Sequence, residues 1–240
     1  MELKVEKEND IQSWEEVVLI YNSALKEVGT KLEILNDEFQ HVHQYNPIEH
    51  IKSRIKTPQS IVKKLKKNHY ESTIANMVEH VNDIAGIRVI CSFISDIYRI
   101  AEMLIKQNDI RVISVKDYIQ NPKPSGYKSY HLLITIPIFL SDRIVDTKVE
   151  IQIRTVAMDF WASLEHKIHY KFEGNVPEHI KKELIECANM VSNLDSKMLS
   201  LNKEVQKLAD QAAEEKEKAA EETAAENGQT SLPGTRSAVV

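Results

Sequence analysis

The chain has 240 residues and a formal net charge of −5 at pH 7, which excludes a protein that binds nucleic acid over a uniformly basic surface. This length suits one well-buried domain with a helical appendage better than two independent domains. The first eight residues contain no apolar signal core and no later apolar run is long enough to cross a bilayer, so we expect a soluble, cytoplasmic protein.

A long amphipathic helix is predicted at the start of the chain. Apolar residues recur in three- and four-residue steps from Ile11 to Val42, and the sequence Tyr45-Asn46-Pro47 ends the pattern. The same spacing suits a coiled-coil seam with another subunit, but we favour a helix that packs on its own domain. Residues 1–45 are therefore predicted to form an N-terminal helix that packs on the domain.

A basic strand and a helix start follow. The predicted strand alternates Lys52, Arg54 and Lys56 on one face, and Thr57 is then typical of a helix N-cap. Residues 50–67 contain seven Lys or Arg and no carboxylate, and the free amides of a helix N-terminus also attract anions. The segment favours a polyphosphate site, although a charged edge strand followed by a solvated helix face explains it equally well.

Alternating helices and strands are predicted next. A helix over residues 71–81 leads into a strand over 83–91, and Ser95 is predicted to cap the following helix. Cys91 in this strand and Cys187 in a later helix are both expected to be buried thiols, because two isolated cysteines suit neither a disulfide framework nor a zinc site.

Three more strands complete the predicted sheet. A strand over 110–115 precedes a loop rich in proline and glycine at 121–126, and a strand over 127–136 turns near Ser141 into a strand over 149–154. The short turn makes the last pair antiparallel. We therefore predict a mixed sheet.

Two helical regions close the chain. Thr155 is predicted to cap the first, whose buried face is expected to consist of apolar residues four positions apart: Val156, Phe160, Leu164 and Ile168. A break is predicted at 174–177. Apolar residues then recur through Leu201 in a pattern that suits either core packing or subunit contact, so we predict an oligomerisation region at 176–208 and a low-complexity, disordered tail at 209–240.

The strand over 149–154 carries the residues that point to a function. Strict alternation places Glu150, Gln152 and Arg154 on one face and three apolar residues on the other. Polar alternation is usually ordinary solvated surface, but the strand over 83–91 begins with Asp83 and directs Arg88 away from its apolar neighbours. Two acids on neighbouring strands suit a divalent cation, and adjacent arginines suit phosphate.

Three motifs occur in order in this chain, at residues 83–88, 126–131 and 150–155. With these motifs the chain resembles the small alarmone synthetases, the single-domain branch of the RelA/SpoT homologues. The resemblance implies an α+β, nucleotidyltransferase-like fold, in which a mixed, mainly antiparallel sheet is flanked by long N- and C-terminal helices, with a catalytic domain at 46–175. It also implies a (p)ppGpp synthetase (GTP diphosphokinase), which transfers pyrophosphate from ATP to the 3′-hydroxyl of GDP or GTP and releases AMP in the stringent response.

The resemblance assigns donor and metal roles. Asp83 and Glu150 match the acids that bind Mg²⁺, and Glu150 also matches the residue that assists deprotonation of the acceptor hydroxyl. Arg54 and Arg88 match the pair of arginines whose guanidinium planes stack on the two faces of the adenine of ATP. The positions that hold the donor phosphates match Lys56, Ser60 and Lys64.

The resemblance also assigns an acceptor site. Tyr127 matches the ring that stacks on guanine, and Asp159 stands where relatives often have Asn near the guanine edge, where a carboxylate can still accept hydrogen bonds. The remaining residues that match the acceptor site are Lys116, Lys128, His131 and Gln152.

Partners and rivals follow from the same resemblance. It implies a homotetramer formed through the terminal helices, and it leaves the acceptor open among GMP, GDP and GTP. One rival is a non-catalytic regulator that binds guanine nucleotide or RNA, although two metal-binding acids are of little use to such a protein. Another is a nucleotidyltransferase that acts on RNA ends, but its paired strand acids and Gly-Ser element are not evident.

Overall fold

The computed structural model describes residues 11, 13–172 and 176–229, without the side chains at 43, 169, 170, 214, 217 and 219–229. Several predicted features therefore lie outside the described residues. They are residues 1–10 and 12 of the N-terminal helix region, residues 174 and 175 of the predicted break and residues 230–240 of the predicted disordered tail.

One five-stranded sheet organises the described chain, in the order β1-β2-β5-β4-β3. β2 and β5 run parallel, and the other neighbours are antiparallel, so the predicted mixed, mainly antiparallel sheet of an α+β fold is confirmed. The elements in chain order are α1 (Trp14–His43), β1 (Ile48–Ile55), α2 (Pro58–Lys67), α3 (Ile74–His80), β2 (Ala85–Cys91), α4 (Ile94–Ile105), β3 (Arg111–Asp117), β4 (Tyr130–Phe139), β5 (Ile144–Thr155), α5 (Val156–Lys171) and α6 (Glu178–Gln229).

The apolar face of the sheet forms the core. The apolar residues of β5, Val149, Ile151 and Ile153, are fully buried in a cluster that also contains α1 and α4 residues. α1 contributes Val17, Tyr21, Val28 and Leu32 from one stripe, which explains its apolar spacing of three and four residues. Because side chains alternate along a strand, this burial leaves the other face of β5 to its polar residues.

Two of the three predicted helix caps are confirmed. The Thr57 hydroxyl accepts from Ser60 N at the start of α2, and Thr155 Oγ1 accepts from Met158 N at 3.1 Å at the start of α5. The prediction for Ser95 is wrong, because α4 begins at Ile94 and the Asp96 carboxylate accepts from Phe93 N at 3.1 Å. An exposed serine thus loses the capping role to a buried carboxylate that also accepts from the Tyr45 hydroxyl.

The predicted buried face of α5 is wrong. Val156, Phe160 and Leu164 are exposed by 52%, 62% and 42%, whereas Met158, Trp161 and Ala162 are buried. α5 carries apolar residues on two faces, and four-residue spacing alone does not indicate which one meets the protein.

The cysteine prediction is half right, since Cys91 is buried and Cys187 is exposed. No helix in the described part of the chain is long and apolar enough to cross a membrane. The chain divides into two compact units, Met1–Ser196 and Lys197–Val240, and the sheet lies in the first. α6 continues through residues 209–229, the part of the predicted tail that the structure describes.

We expect Ile151→Ala to lower the free energy of unfolding by about 3 kcal/mol, because it leaves a cavity in a fully buried strand. Ile144→Ala is the matched control in the same strand, where the side chain is 59% exposed, and it should cost less than about 1 kcal/mol. Urea denaturation measures both values. Equal losses for the two variants would contradict the placement of the core.

Candidate active site

A row of polar residues crosses the whole sheet on the face opposite the core. The strand registers pair Lys52 with Arg88, Arg88 with Gln152, Gln152 with His131 and His131 with Lys116. Paired residues on neighbouring strands point to the same side of a sheet, so residues from five separate segments meet on one surface. This row contains predicted donor and acceptor residues together.

The neighbouring row brings the metal-binding candidates into the same place. Arg54 pairs with Gly86, which pairs with Glu150, and the Arg54 side chain lies over Gly86. An open cleft of about 210 Å³ at this position is lined by Lys52, Ser53, Arg54, Asp83, Gly86, Ile87, Arg88, Glu150 and Gln152. Both predicted acids and both predicted adenine-stacking arginines therefore border one cleft.

Asp83 lies at the cleft edge just before β2 and is held by two lysines. Its Oδ2 accepts from Lys56 Nζ at 2.8 Å and its Oδ1 from Lys64 Nζ at 2.7 Å. Partial burial by itself would raise the pKa of the Asp83 carboxyl, but the hydrogen bonds and charges of the two ammonium groups outweigh it and lower that pKa. Asp83 is therefore a carboxylate at neutral pH.

Glu150 lines the same cleft with a different set of partners. Its Oε2 accepts from Gln152 Nε2 at 2.9 Å, and its Oε1 is 3.5 Å from His131 Nδ1. Burial and the negative charge of Asp83 act to raise the pKa of Glu150, but hydrogen bonds from His131 and Gln152 bring it below the ordinary value. Glu150 is therefore also ionised at neutral pH.

The two carboxylates have the chemistry of a site for a hard divalent cation. A carboxylate has about four lone-pair positions, so the lysine contacts of Asp83 leave its oxygens able to accept further ligands. Within the described ranges no cluster of three or more His, Cys, Asp or Glu could hold a metal. A cation here would complete its coordination with phosphate oxygens and water, which is the usual arrangement for Mg²⁺.

Asp159 forms a second anion with two cationic partners. Its Oδ1 is 3.1 Å from Nη1 of both Arg88 and Arg154. Arg154 is almost fully buried and also donates from Nη2 to Gln152 Oε1 at 2.8 Å and to the Tyr127 hydroxyl at 2.5 Å. We did not predict Arg154 as a site residue, although strand alternation placed it on the polar face beside Gln152.

Arg88 remains incompletely satisfied in this network. Burial, followed by the positive charge of Arg154, lowers the pKa of its guanidinium, while Asp159 opposes that shift. Its Nε is buried without a hydrogen-bond partner among the residues that the structure describes. An unpaired buried donor is costly, so Arg88 is well placed to gain from a ligand in the cleft.

Aromatic rings line the site beyond Arg154. The Tyr127 hydroxyl is 2.8 Å from His131 Nε2, and Lys123 Nζ lies 4.6 Å from the centre of the Tyr127 ring. The Tyr118 ring meets the edges of Tyr127 and His131, with centres 6.0 and 5.1 Å apart. Tyr118 and Lys123 were not predicted, because neither belongs to an alternating strand pattern. His131 thus connects Tyr127 to Glu150.

The other predicted site residues lie further from the cleft. Lys128 is half-buried and donates to Ser192 on α6 at 2.6 Å. Ser60 is exposed at the start of α2, where its hydroxyl accepts from the Thr57 hydroxyl. Lys116 is exposed at the end of the polar row on β3. None of these three side chains lines the cleft.

Comparison with known proteins identifies the family to which this chain belongs. A family model described as the region found in RelA / SpoT proteins matches residues 53–175. The chain belongs to the RelA/SpoT family. It is 49% identical over 209 residues to the GTP pyrophosphokinase YwaC of Bacillus subtilis, in an alignment that covers 85% of this chain and 100% of the relative. The predicted resemblance to small alarmone synthetases is thereby confirmed.

Solved structures of RelA/SpoT proteins have the same fold. The crystal structure of small alarmone synthetase 2 from B. subtilis has a TM-score of 0.73 and 49% identity, over 80% of this chain and 98% of that chain. Small alarmone synthetase 1 from the same organism, bound to its product pppGpp, has a TM-score of 0.74 and 37% identity over the same shares of both chains.

Asp83→Asn tests the two ion pairs at the edge of the RelA/SpoT site. Loss of the shared anion should lower the free energy of unfolding at pH 7 by about 1–2 kcal/mol, between the effects of exposed and of fully buried pairs. Because the folded pKa of Asp83 lies below its unfolded value, the stabilisation is present above about pH 4 and is lost as the pH falls through the folded pKa.

Urea denaturation of wild type and variant between neutral pH and about pH 3 measures the difference. If the difference in free energy of unfolding between wild type and variant stayed constant or widened on acidification, the Asp83 carboxylate would not stabilise the folded state.

Proposed function

We propose that this chain is a GTP pyrophosphokinase, a (p)ppGpp synthetase that transfers pyrophosphate from ATP to the 3′-hydroxyl of GDP or GTP. The single observation that carries the proposal is the cleft that Asp83 and Glu150 share with Arg54 and Arg88. Relatives across the full length of the catalytic region are GTP pyrophosphokinases, and one similar structure holds pppGpp. The paired acids argue against a protein that only binds nucleotide.

ATP binds on the β1-β2 side of the cleft in this proposal. The guanidinium planes of Arg54 and Arg88 stack on the two faces of adenine, a task that an ammonium group cannot perform. Lys56 and Lys64 already bracket one anion, Asp83, and their remaining donors hold the triphosphate together with Ser60 at the start of α2.

The acceptor nucleotide binds on the β4-β5 side. Tyr127 stacks on guanine, and its hydroxyl is fixed by Arg154 and His131, so the ring is held before the ligand arrives. Asp159 accepts from the guanine edge through its oxygen that is not shared by the two arginines. The acceptor phosphates and ribose are held by Lys116, Lys128, His131 and Gln152.

Asp83 and Glu150 would hold Mg²⁺, which would supply neutralisation of the charge on the donor phosphates. Glu150 also accepts the proton of the 3′-hydroxyl as that oxygen forms a bond with the β phosphorus. The bond between the β phosphorus and the oxygen of the α phosphate breaks, and AMP leaves with the electron pair. Positioning and electrostatic stabilisation supply the rate, as in other phosphoryl transfers.

We expect Glu150→Gln to bind ATP and GDP nearly as well as wild type but to lose roughly two or more orders of magnitude in turnover, because it removes a proton acceptor and a metal ligand. Incubation with ATP, GDP and Mg²⁺ followed by separation of the nucleotides measures ppGpp and AMP. Chelation of the metal should abolish both products.

The same assay separates the rival functions. A wild-type protein that bound GDP without forming AMP would indicate a non-catalytic regulator. Incorporation of nucleotide into RNA with release of pyrophosphate would indicate an RNA nucleotidyltransferase. Equal turnover in wild type and Glu150→Gln would remove Glu150 from the chemistry.

We also propose a cytoplasmic homotetramer that assembles partly through α6. In the second unit, Met198, Leu201, Val205 and Leu208 are 46–63% exposed and recur at alternating steps of three and four residues. That spacing is typical of a coiled-coil seam, which needs a partner helix to bury it. A second copy of the chain supplies an identical, complementary stripe.

Leu201→Glu should reduce the assembly, because it places a charge in the centre of this seam. Gln206→Glu is the control, since it adds the same charge at an exposed polar position of the same segment. Light scattering after size-exclusion chromatography measures the mass. A wild-type monomer, or an unchanged mass for Leu201→Glu, would exclude assembly through this stripe.

A further inference from the structure

The acceptor segment of the site rests on the first part of α6. Lys128, which follows Tyr127, donates from Nζ to Ser192 Oγ at 2.6 Å. An ammonium group has three donors, so this hydrogen bond directs the Lys128 side chain and leaves two donors for phosphate oxygens. Ser192 belongs to the same compact unit as the sheet.

The backbone before Tyr127 lies too close to α6 to leave room for a side chain at Gly126. A Cβ atom at Gly126 would lie 2.6 Å from the Ala188 Cβ, and Gly126 has a φ of +87°. Both the clash and the left-handed backbone require glycine here. The contact is reinforced nearby, where Trp161 Nε1 donates to the Leu184 carbonyl at 3.0 Å. Only a small residue at position 188 admits the loop that carries Tyr127.

α6 also holds the end of β5. Asp195, one helical turn after Ser192, is 7% exposed and accepts from Thr155 Oγ1 at 2.5 Å. Thr155 directly follows Arg154, which fixes the Tyr127 hydroxyl. One face of α6 therefore contacts the acceptor segment on both sides of Tyr127, through its own loop and through β5.

We propose that Ala188, Ser192 and Asp195 of α6 are positioning residues that set the affinity of the site for the guanine-nucleotide acceptor. They act through Gly126, Lys128 and Thr155. The inference rests on the proposed function, and it adds a role for a helix that lies outside the catalytic motifs. It requires that changes on this face of α6 alter acceptor binding while the ATP site, formed by β1, α2 and β2, is unaffected.

Ser192→Ala removes the hydroxyl that directs Lys128. We expect the KM for GDP to rise roughly three- to ten-fold, the effect of losing one ordinary hydrogen bond, because the lost bond orients Lys128 and does not itself contact GDP, while the KM for ATP stays the same. Ser192→Thr restores a hydroxyl and should return the KM for GDP towards the wild-type value. Asn193→Ala changes an exposed neighbour on α6 and serves as the control.

Gly126 and Ala188 allow a second, independent test. Gly126→Ala should raise the KM for GDP by driving the loop away from α6. Ala188→Gly removes the atom that the new methyl group meets, so adding it to Gly126→Ala should recover part of the lost affinity. The left-handed backbone still disfavours alanine at 126, so recovery is partial. No recovery would overturn a direct contact between the loop and α6.

Calorimetric titration of GDP into each variant separates this inference from the proposed function. An unchanged KM and Kd for GDP in Ser192→Ala, or a parallel rise for GDP and ATP, would overturn the positioning role while leaving an active synthetase. A wild type that binds GDP but forms no ppGpp would overturn the synthetase, and a weaker GDP titration in Ser192→Ala would still support positioning by α6.

Discussion

The parallel pairing of β2 with β5 is the constraint on which the site depends. It places Glu150 beside Gly86 and Gln152 beside Arg88, and it brings Asp83, just before β2, to the same cleft. A shift of one residue in this register would turn the polar set of β5 into the core and its apolar set towards the ligand. The burial of Val149, Ile151 and Ile153 therefore specifies the active-site geometry as well as the fold.

Each of two carboxylates in the site forms ion pairs with two cationic side chains. Asp83 is bracketed by Lys56 and Lys64, and Asp159 is bracketed by Arg88 and Arg154. Each anion allows two cations to stand close together before a phosphate or base is bound, which reduces their mutual repulsion. The cationic side chains are thus held near their working positions, and little reorganisation is needed when a polyphosphate arrives.

The donor and acceptor sides that we propose for the cleft are supported differently. The donor side is built from consecutive elements, β1, α2 and β2, whose ends are tied by the hydrogen bond from Lys56 N to the Ile84 carbonyl. The acceptor side depends on a glycine-containing loop supported by α6, an element distant in the sequence. In this proposal the acceptor side depends on contacts with a distant helix, whereas the donor side depends on contacts among neighbouring elements.

The sequence by itself determined the strands, their inward faces and several cleft residues, because alternation along β2 and β5 directs Arg88, Glu150 and Gln152 away from the apolar face. The sequence indicated Asp83 only as the acid that precedes β2, since residue 83 lies in the turn before that strand. It did not reveal Asp159 as a shared partner of two arginines, the buried face of α5, the Asp96 cap or the support from Ser192. Those features depend on which distant elements meet, and apolar spacing within one helix does not indicate which element packs against it. Only tertiary packing, which chooses between two equally apolar faces and pairs charges remote in the chain, decided them.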